Sequence, residues 1–339
     1  MALSKLVRIG SRLAAAFLMV GLASCGGASS DSQIAAVGEM ARPKLPPGSG
    51  PAPGGSPTQP GPSNPKSTPQ ISAGYFHTCA LTGTGVTCWG SNEFGQSTVP
   101  AGLTGVTQIS AGGAHNCALT GTGVSCWEYN GQLQSSVPAG LAGVTQVSVG
   151  YAHSCALTST GVSCWGLDDL GQTTVPSGLT GVTQISAGTF HTCALTSTGV
   201  TCWGLDDYGQ ATVPAGLTGV TQISAGFYHT CALTSTGMTC WGRNESGQTT
   251  VPEGLTGIEQ ISAGYFHTCA LTRRGVTCWG QDAYGQTTVP ERLTGVKQIS
   301  AGAFHTCALT GPGVTCWGRN DSGQASVPPL KLHGRGPGD

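Results

Sequence analysis

The chain has 339 residues and a formal net charge of −1; 9% of its residues are charged and 55 are Gly. That much glycine excludes a mostly helical protein, because each Gly costs about 1 kcal/mol in a helix interior. Fifteen Cys exclude a reduced cytosolic setting unless they hold metal or iron–sulfur clusters.

Lys5, Arg8 and Arg12 form a basic start to an apolar run, Leu13 to Ala23, that is too short to span a bilayer. Leu22-Ala23-Ser24-Cys25 then resembles a bacterial lipobox, in which cleavage leaves a cysteine that carries diacylglycerol. An ordinary secretory signal cleaved nearby is the alternative, and both routes export the chain. Residues 1–24 are expected to be a lipoprotein signal, with lipid on Cys25 holding the chain to a membrane by acyl-chain burial. Gly26 is not Asp, which by resemblance to lipoprotein sorting in Gram-negative bacteria implies the outer membrane and a place in the cell envelope.

Residues 25–66 are expected to be a disordered linker. Nine of residues 26–66 are Pro, mixed with Gly and Ser, and no apolar periodicity offsets the entropy of ordering them. A short disordered tail, 331–339, is expected at the other end.

Residues 67–330 hold seven copies of one 38-residue unit. Cys79, Cys117, Cys155, Cys193, Cys231, Cys269 and Cys307 keep that period, and so do Cys88, Cys126, Cys164, Cys202, Cys240, Cys278 and Cys316. Seven Trp and seven His repeat with them, without insertion or deletion. The second unit alone departs clearly, with Glu128 and Leu133 where the others have Gly. Each unit reads as three short strands; in the first these are Gln70 to Ser72, His77 to Leu81 and Val86 to Trp89. Thr82-Gly83-Thr84-Gly85 forms a tight hairpin turn, and a longer loop leads to the next unit. One such sheet cannot bury both faces, so the units must stack. The fold class is all-β, a closed seven-bladed β-propeller with three-stranded blades. An open solenoid would leave two uncapped ends.

The repeat Ile-Ser-Ala-Gly-x-x-His-x-Cys-Ala-Leu-Thr, followed by Gly-Val-Thr-Cys-Trp-Gly and Gly-Gln, resembles that of the regulator-of-chromosome-condensation family, which implies a seven-bladed propeller. The short unit with Gly-Gln-Thr-Thr-Val-Pro is also similar to the propeller type of bacterial β-lactamase inhibitory protein. A propeller is a scaffold, so the resemblance alone leaves function open.

A two-residue turn places Cys79 opposite Cys88, so each unit is expected to close its own disulfide. Metal is the rival reading, with His77, Cys79 and Cys88 as ligands; seven identical zinc sites in an exported scaffold argue against it. No cofactor is expected. The seven His and seven Trp recur equally in every unit, whereas an enzyme needs one asymmetric site. Each His is expected to satisfy backbone groups at a strand start, and each Trp to fill space between blades. No nucleophile elbow, phosphate loop or zinc-protease motif is present.

Variation between units concentrates in the two residues before His and in the loop after Trp. Strand directions put both at one end of every blade, so one face should carry aromatics ringed by acids and amides. Tyr75, Tyr151, Phe227, Tyr228 and Tyr265 are expected there, together with Asp168, Asp169, Asp206, Asp207, Tyr208 and Tyr284. Phe76, Phe190, Phe266 and Phe304 are expected to pack inward instead. Residues 67–242 contain six acids and no Lys or Arg, so nucleic acid is a poor partner and a cationic one would be steered to the first blades. The expected function is a monomeric, lipid-anchored, non-catalytic propeller that binds another protein, with a β-lactamase-inhibitor-like binder as its leading specific form. A carbohydrate or cell-wall binder is the alternative, and an enzyme is a third.

Overall fold

The computed structural model describes residues 68–331. The expected signal peptide, Cys25 and the linker fall outside these residues, as does all of the tail beyond Lys331. The described residues form 21 strands and no helix, arranged as seven separate three-stranded antiparallel sheets, each a contiguous stretch of chain. The first blade contains β1 (Gln70–Ala73), β2 (His77–Thr82) and β3 (Gly85–Gly90). The second contains β4 (Val106–Ala111), β5 (His115–Thr120) and β6 (Gly123–Glu128). Five more follow at 144–166, 182–204, 220–242, 258–280 and 296–318.

Each middle strand is buried on both sides, because a neighbouring blade covers each face of its sheet. The first strands of successive blades adjoin one another, and that of the last blade returns to β1, so the ring closes around a central axis. Apolar clusters fill the gaps between blades: Leu81 of the first blade packs with Ile109, Ala118 and Trp127 of the second, and Ile71 with Leu309 of the seventh.

The hairpin turn sets the register. Thr82 pairs with Gly85, which brings Cys79 directly opposite Cys88 with Cα atoms 4.1 Å apart. All seven expected in-blade disulfides are formed. Both sulfurs of each unit are therefore bonded, and no thiolate remains there to ligate a metal.

Side chains join the innermost strands. Gln298 Nε2 donates to the Ile71 carbonyl at 3.2 Å, while its Oε1 accepts from the Ile71 N–H at 2.8 Å. Ser300 Oγ accepts from the Ala73 N–H at 2.9 Å. The same Gln and Ser bonds recur at other blade junctions, for example Gln108 on Val147 and Ser110 on Val149. An edge strand that would otherwise expose its backbone is thus paired by amides and hydroxyls.

The histidines depart from expectation, since they bridge blades rather than capping a strand's backbone. His191 Nε2 lies 2.8 Å from Thr230 Oγ1 of the next blade, and that hydroxyl donates to the Gln210 carbonyl at 2.8 Å. The hydroxyl's single proton is thereby used, so the imidazole must donate through Nε2–H. His305 closes the circuit on Thr78 of the first blade at 2.8 Å. The ring needs glycine beside it: a Cβ on Gly74 would sit 2.6 Å from His77 Cε1 and 2.7 Å from the Gly112 carbonyl. Burial holds all seven imidazoles well below 6.5, at about 3 to 4.

Each loop after a third strand crosses onto the next blade, where a Gln carbonyl accepts from the Trp indole in every blade but the second, whose Trp127 Nε1 finds no such acceptor. Gln172 does so for Trp203 at 3.0 Å. The segment after the seventh blade performs this role for the first, since the Gln324 carbonyl accepts from Trp89 Nε1 at 2.9 Å and from Thr78 Oγ1 at 3.0 Å. Blade two differs again. Glu128 and Leu133 are the non-Gly residues at positive φ among the described residues, at 79° and 62°. Such a conformation costs about 1–2 kcal/mol each.

Candidate protein-binding face

The turn between the first and second strands and the loop after the third share one end of every blade. Backbone bonds tie them together, as from Ser91 N–H to the Phe76 carbonyl at 2.7 Å and from Arg243 N–H to the Tyr228 carbonyl at 2.8 Å. The opposite face carries the tight turns.

At the centre of the loop face, the first residue of each His-preceding pair converges on the axis. Phe227 and Tyr265 stack with centroids 3.6 Å apart, and Tyr75 reaches Tyr265 at 5.2 Å and Tyr151 at 5.0 Å. The other three blades place Gly113, Thr189 and Ala303 there, which leaves room for the four rings. Backbone bonds between neighbouring blades surround this plug, including Tyr75 N–H to the Gly112 carbonyl at 3.1 Å and Ala303 N–H to the Gly74 carbonyl at 3.2 Å.

This corrects the expectation that the first aromatics are the more exposed. Phe227 and Tyr265 are 6% exposed and Tyr75 is 9% exposed, while Tyr151 is half-buried. Seven symmetric positions meeting on one axis form a core, whatever their sequence variability. Burial raises the Tyr75 and Tyr265 phenols well above their ordinary value. Phe266 and Phe304 are buried as expected, whereas Phe76 and Phe190 are half-buried. Phe227→Ala is therefore expected to lower unfolding free energy by about 3–5 kcal/mol, measured by denaturant titration. A change below about 1 kcal/mol would mean that the plug is not packed.

Beside the plug lie two arginine–aromatic clusters that sequence reasoning missed. The Arg243 guanidinium is 5.2 Å from the Tyr208 ring centre and 5.1 Å from that of Phe266. Arg319 is 4.9 Å from Tyr284 and 5.6 Å from Phe304. Each arginine is also held by a carboxylate two residues on, Glu245 and Asp321 respectively. The signal available in sequence was the charge at the second position after Trp, which only these two units share. Tyr208 is 43% exposed and lies 4.9 Å from the half-buried Tyr228. Tyr284 is half-buried.

The rim is acidic. Glu93, Asp168, Asp169, Asp206, Asp207, Glu245, Asp282 and Asp321 occupy the third and fourth positions after Trp, and all are exposed. Asp168 and Asp206 also cap their loops: Asp168 Oδ1 accepts from Thr173 N–H at 2.7 Å, and Asp206 Oδ1 from Ala211 N–H at 2.7 Å. Burial alone would raise the Asp168 pKa, but hydrogen bonds from Thr174 and Thr173 outweigh it and hold the carboxyl below its ordinary value. Asp169 and Asp207 extend outward beside them. Against these eight carboxylates, the first four positions after Trp carry two cations, Arg243 and Arg319, each already engaged.

The repeat model described as regulator of chromosome condensation (RCC1) repeat matches residues 70–96, 144–172, 182–210, 220–248, 258–286 and 296–324, together just over half of the chain. Blade two lies outside these six matches. No curated protein matches in sequence. Among solved structures, the ectodomain of the Physcomitrella patens receptor kinase CR4 is 27% identical with a TM-score of 0.63, over 73% of this chain and 72% of that one. The CRINKLY ectodomain of the Arabidopsis thaliana receptor kinase ACR4 is 25% identical with a TM-score of 0.59, over 73% of this chain and 96% of that one. Human WBSCR16, at 23% identity, shares the fold with a TM-score of 0.51, over 84% and 87%.

Proposed function

The chain belongs to the family built from the regulator of chromosome condensation (RCC1) repeat, and from that premise we propose that it is an envelope-displayed binding propeller whose loop face receives a basic surface of another protein. The observation that carries this reading is the rim of eight carboxylates around a packed aromatic centre, with both arginines of the aromatic clusters already paired. Rigid scaffolds that present variable loops suit recognition, because little ordering cost opposes binding. Two similar structures are ectodomains of receptor kinases, which supports a role outside a membrane. Lipid on Cys25 would supply the anchor, and an inhibitor-like grip on a β-lactamase is one specific form of the function. Stacking on sugars is the weaker reading, because Arg243 already lies over Tyr228 beside the exposed Tyr208.

The test is affinity capture from envelope extracts by the full-length protein. Replacing Glu93, Asp169 and Asp207 by Lys is expected to abolish capture of the partner, and raised salt to weaken it steeply. Thr198→Ala and Arg273→Ala, on the turn face, are expected to leave capture intact. Capture that survives the charge reversal and is lost in the turn-face variants would reject the proposal.

A further inference from the structure

Blade two breaks the repeat where breaking it is costly. Six blades place Gly at the positions of Glu128 and Leu133, and blade two holds non-Gly residues there in the left-handed region. Neither side chain is used to fill a core. Leu133 is 66% exposed, and the Glu128 carboxylate lies against Gly95 at the surface. Tyr129, 36% exposed, folds over Gly131, which stands where five other blades carry an acid and one an alanine. Tyr129 also meets Phe94 of the preceding loop edge to face at 5.0 Å. The result is an apolar patch made of the Phe94–Tyr129 pair and, four residues further along the same loop, the exposed Leu133, with the acids Glu93 and Glu128 next to Phe94 and Tyr129 in sequence. Two of the three large apolar side chains exposed among the described residues belong to it. Strain kept at a surface that gains no packing from it points to a role outside the fold.

We propose that this sector is the anchor of the interface, taking an apolar side chain of the partner that is flanked by Lys or Arg. The proposal rests on the protein-binding reading of the loop face and names where on it, and by what chemistry, the contact is made. Charge complementarity selects the occupant. Residues 68–242, which include the patch, contain six acids and no Lys or Arg, so an acidic partner would meet uncompensated repulsion. The apolar centre within a charged border is the arrangement of an interface hot spot.

The test uses fluorescence anisotropy with the full chain and labelled synthetic decapeptides in which one Leu is flanked by Lys. One control peptide has Ser for Leu, and the other has Glu for Lys. The Lys–Leu peptide is expected to bind at least tenfold tighter than either control. The variant Glu128→Gly/Leu133→Gly, which restores the repeat, is expected to lose the preference for Leu over Ser while melting several degrees higher than wild type. Equal binding of the Leu and Ser peptides, or a variant that keeps the preference, overturns the anchor. In that event, continued preference for Lys over Glu leaves the wider reading of the face standing. Loss of that preference as well removes both.

Discussion

Acidification from pH 7 to pH 4 is expected to unfold the propeller. Seven imidazoles are buried and neutral, with folded pKa values of about 3 to 4 against 6.5 when free. Their folded pKa is depressed, so the unfolded chain binds more protons between these values. The stability associated with the neutral rings is fully present above pH 6.5 and is lost as pH falls toward 4. Each ring accounts for roughly 3–5 kcal/mol, and seven for on the order of 20 kcal/mol, more than the whole stability of an ordinary domain. The cause is structural: each Nε2–H is committed to the next blade, and the low-dielectric interior disfavours a second proton. Denaturant titrations between pH 7.5 and 4 should show unfolding coupled to the uptake of up to seven protons near pH 5. His191→Gln, which keeps a donor for Thr230, should lower that number by one. Stability that is flat between pH 7 and 5 would contradict the neutral, buried assignment.

Ending the chain at Gly318 is the second change of large expected effect. The seven sheets would all remain, yet the first blade would lose its cover. Trp89 Nε1 and Thr78 Oγ1 would lose the Gln324 carbonyl, and Leu330 would leave the Ile71 and Leu309 cluster. Two unsatisfied buried donors and the lost apolar burial together cost on the order of 5 kcal/mol. The damage falls on the one junction where the ring is closed by chain ends rather than by a continuous chain. A chain ending at Lys331 retains these contacts and is expected to melt like the full-length protein. Melting temperatures of the two truncations decide the matter, and a chain ending at Gly318 that melts within about 2 °C of the longer one would show that the clasp is dispensable.

These two effects stand on opposite sides of what the sequence makes legible. The strand register was readable because it is local: a two-residue turn at Gly83-Thr84 dictates that Cys79 meets Cys88. The ring was readable because a sheet with two apolar faces must be covered twice. The partner of each histidine was not, since Thr230 lies 39 residues from His191 and is reached only after the blades have stacked. For the same reason the sequence carries no sign of the Gln and Ser bonds between innermost strands. The axial aromatics misled most. Tyr75, Phe227 and Tyr265 vary between units as surface residues do, but convergence on the axis makes their position a core, and periodicity carries no information about distance from an axis. Blade two's departures were visible as letters. Only the backbone shows that Glu128 and Leu133 occupy a conformation in which the other blades use glycine.

The central claim is that the loop face, and not the turn face, meets a protein partner. Site-specific incorporation of a photo-cross-linking phenylalanine tests it directly in the native envelope. Positions 169 and 207 lie on the acidic rim, and positions 160 and 236 lie in exposed tight turns of the opposite face. Irradiation is expected to yield a discrete higher-mass adduct from positions 169 and 207, diminished at high salt, and none from positions 160 and 236. Adducts from the turn positions alone, or equally from both faces, would contradict the account.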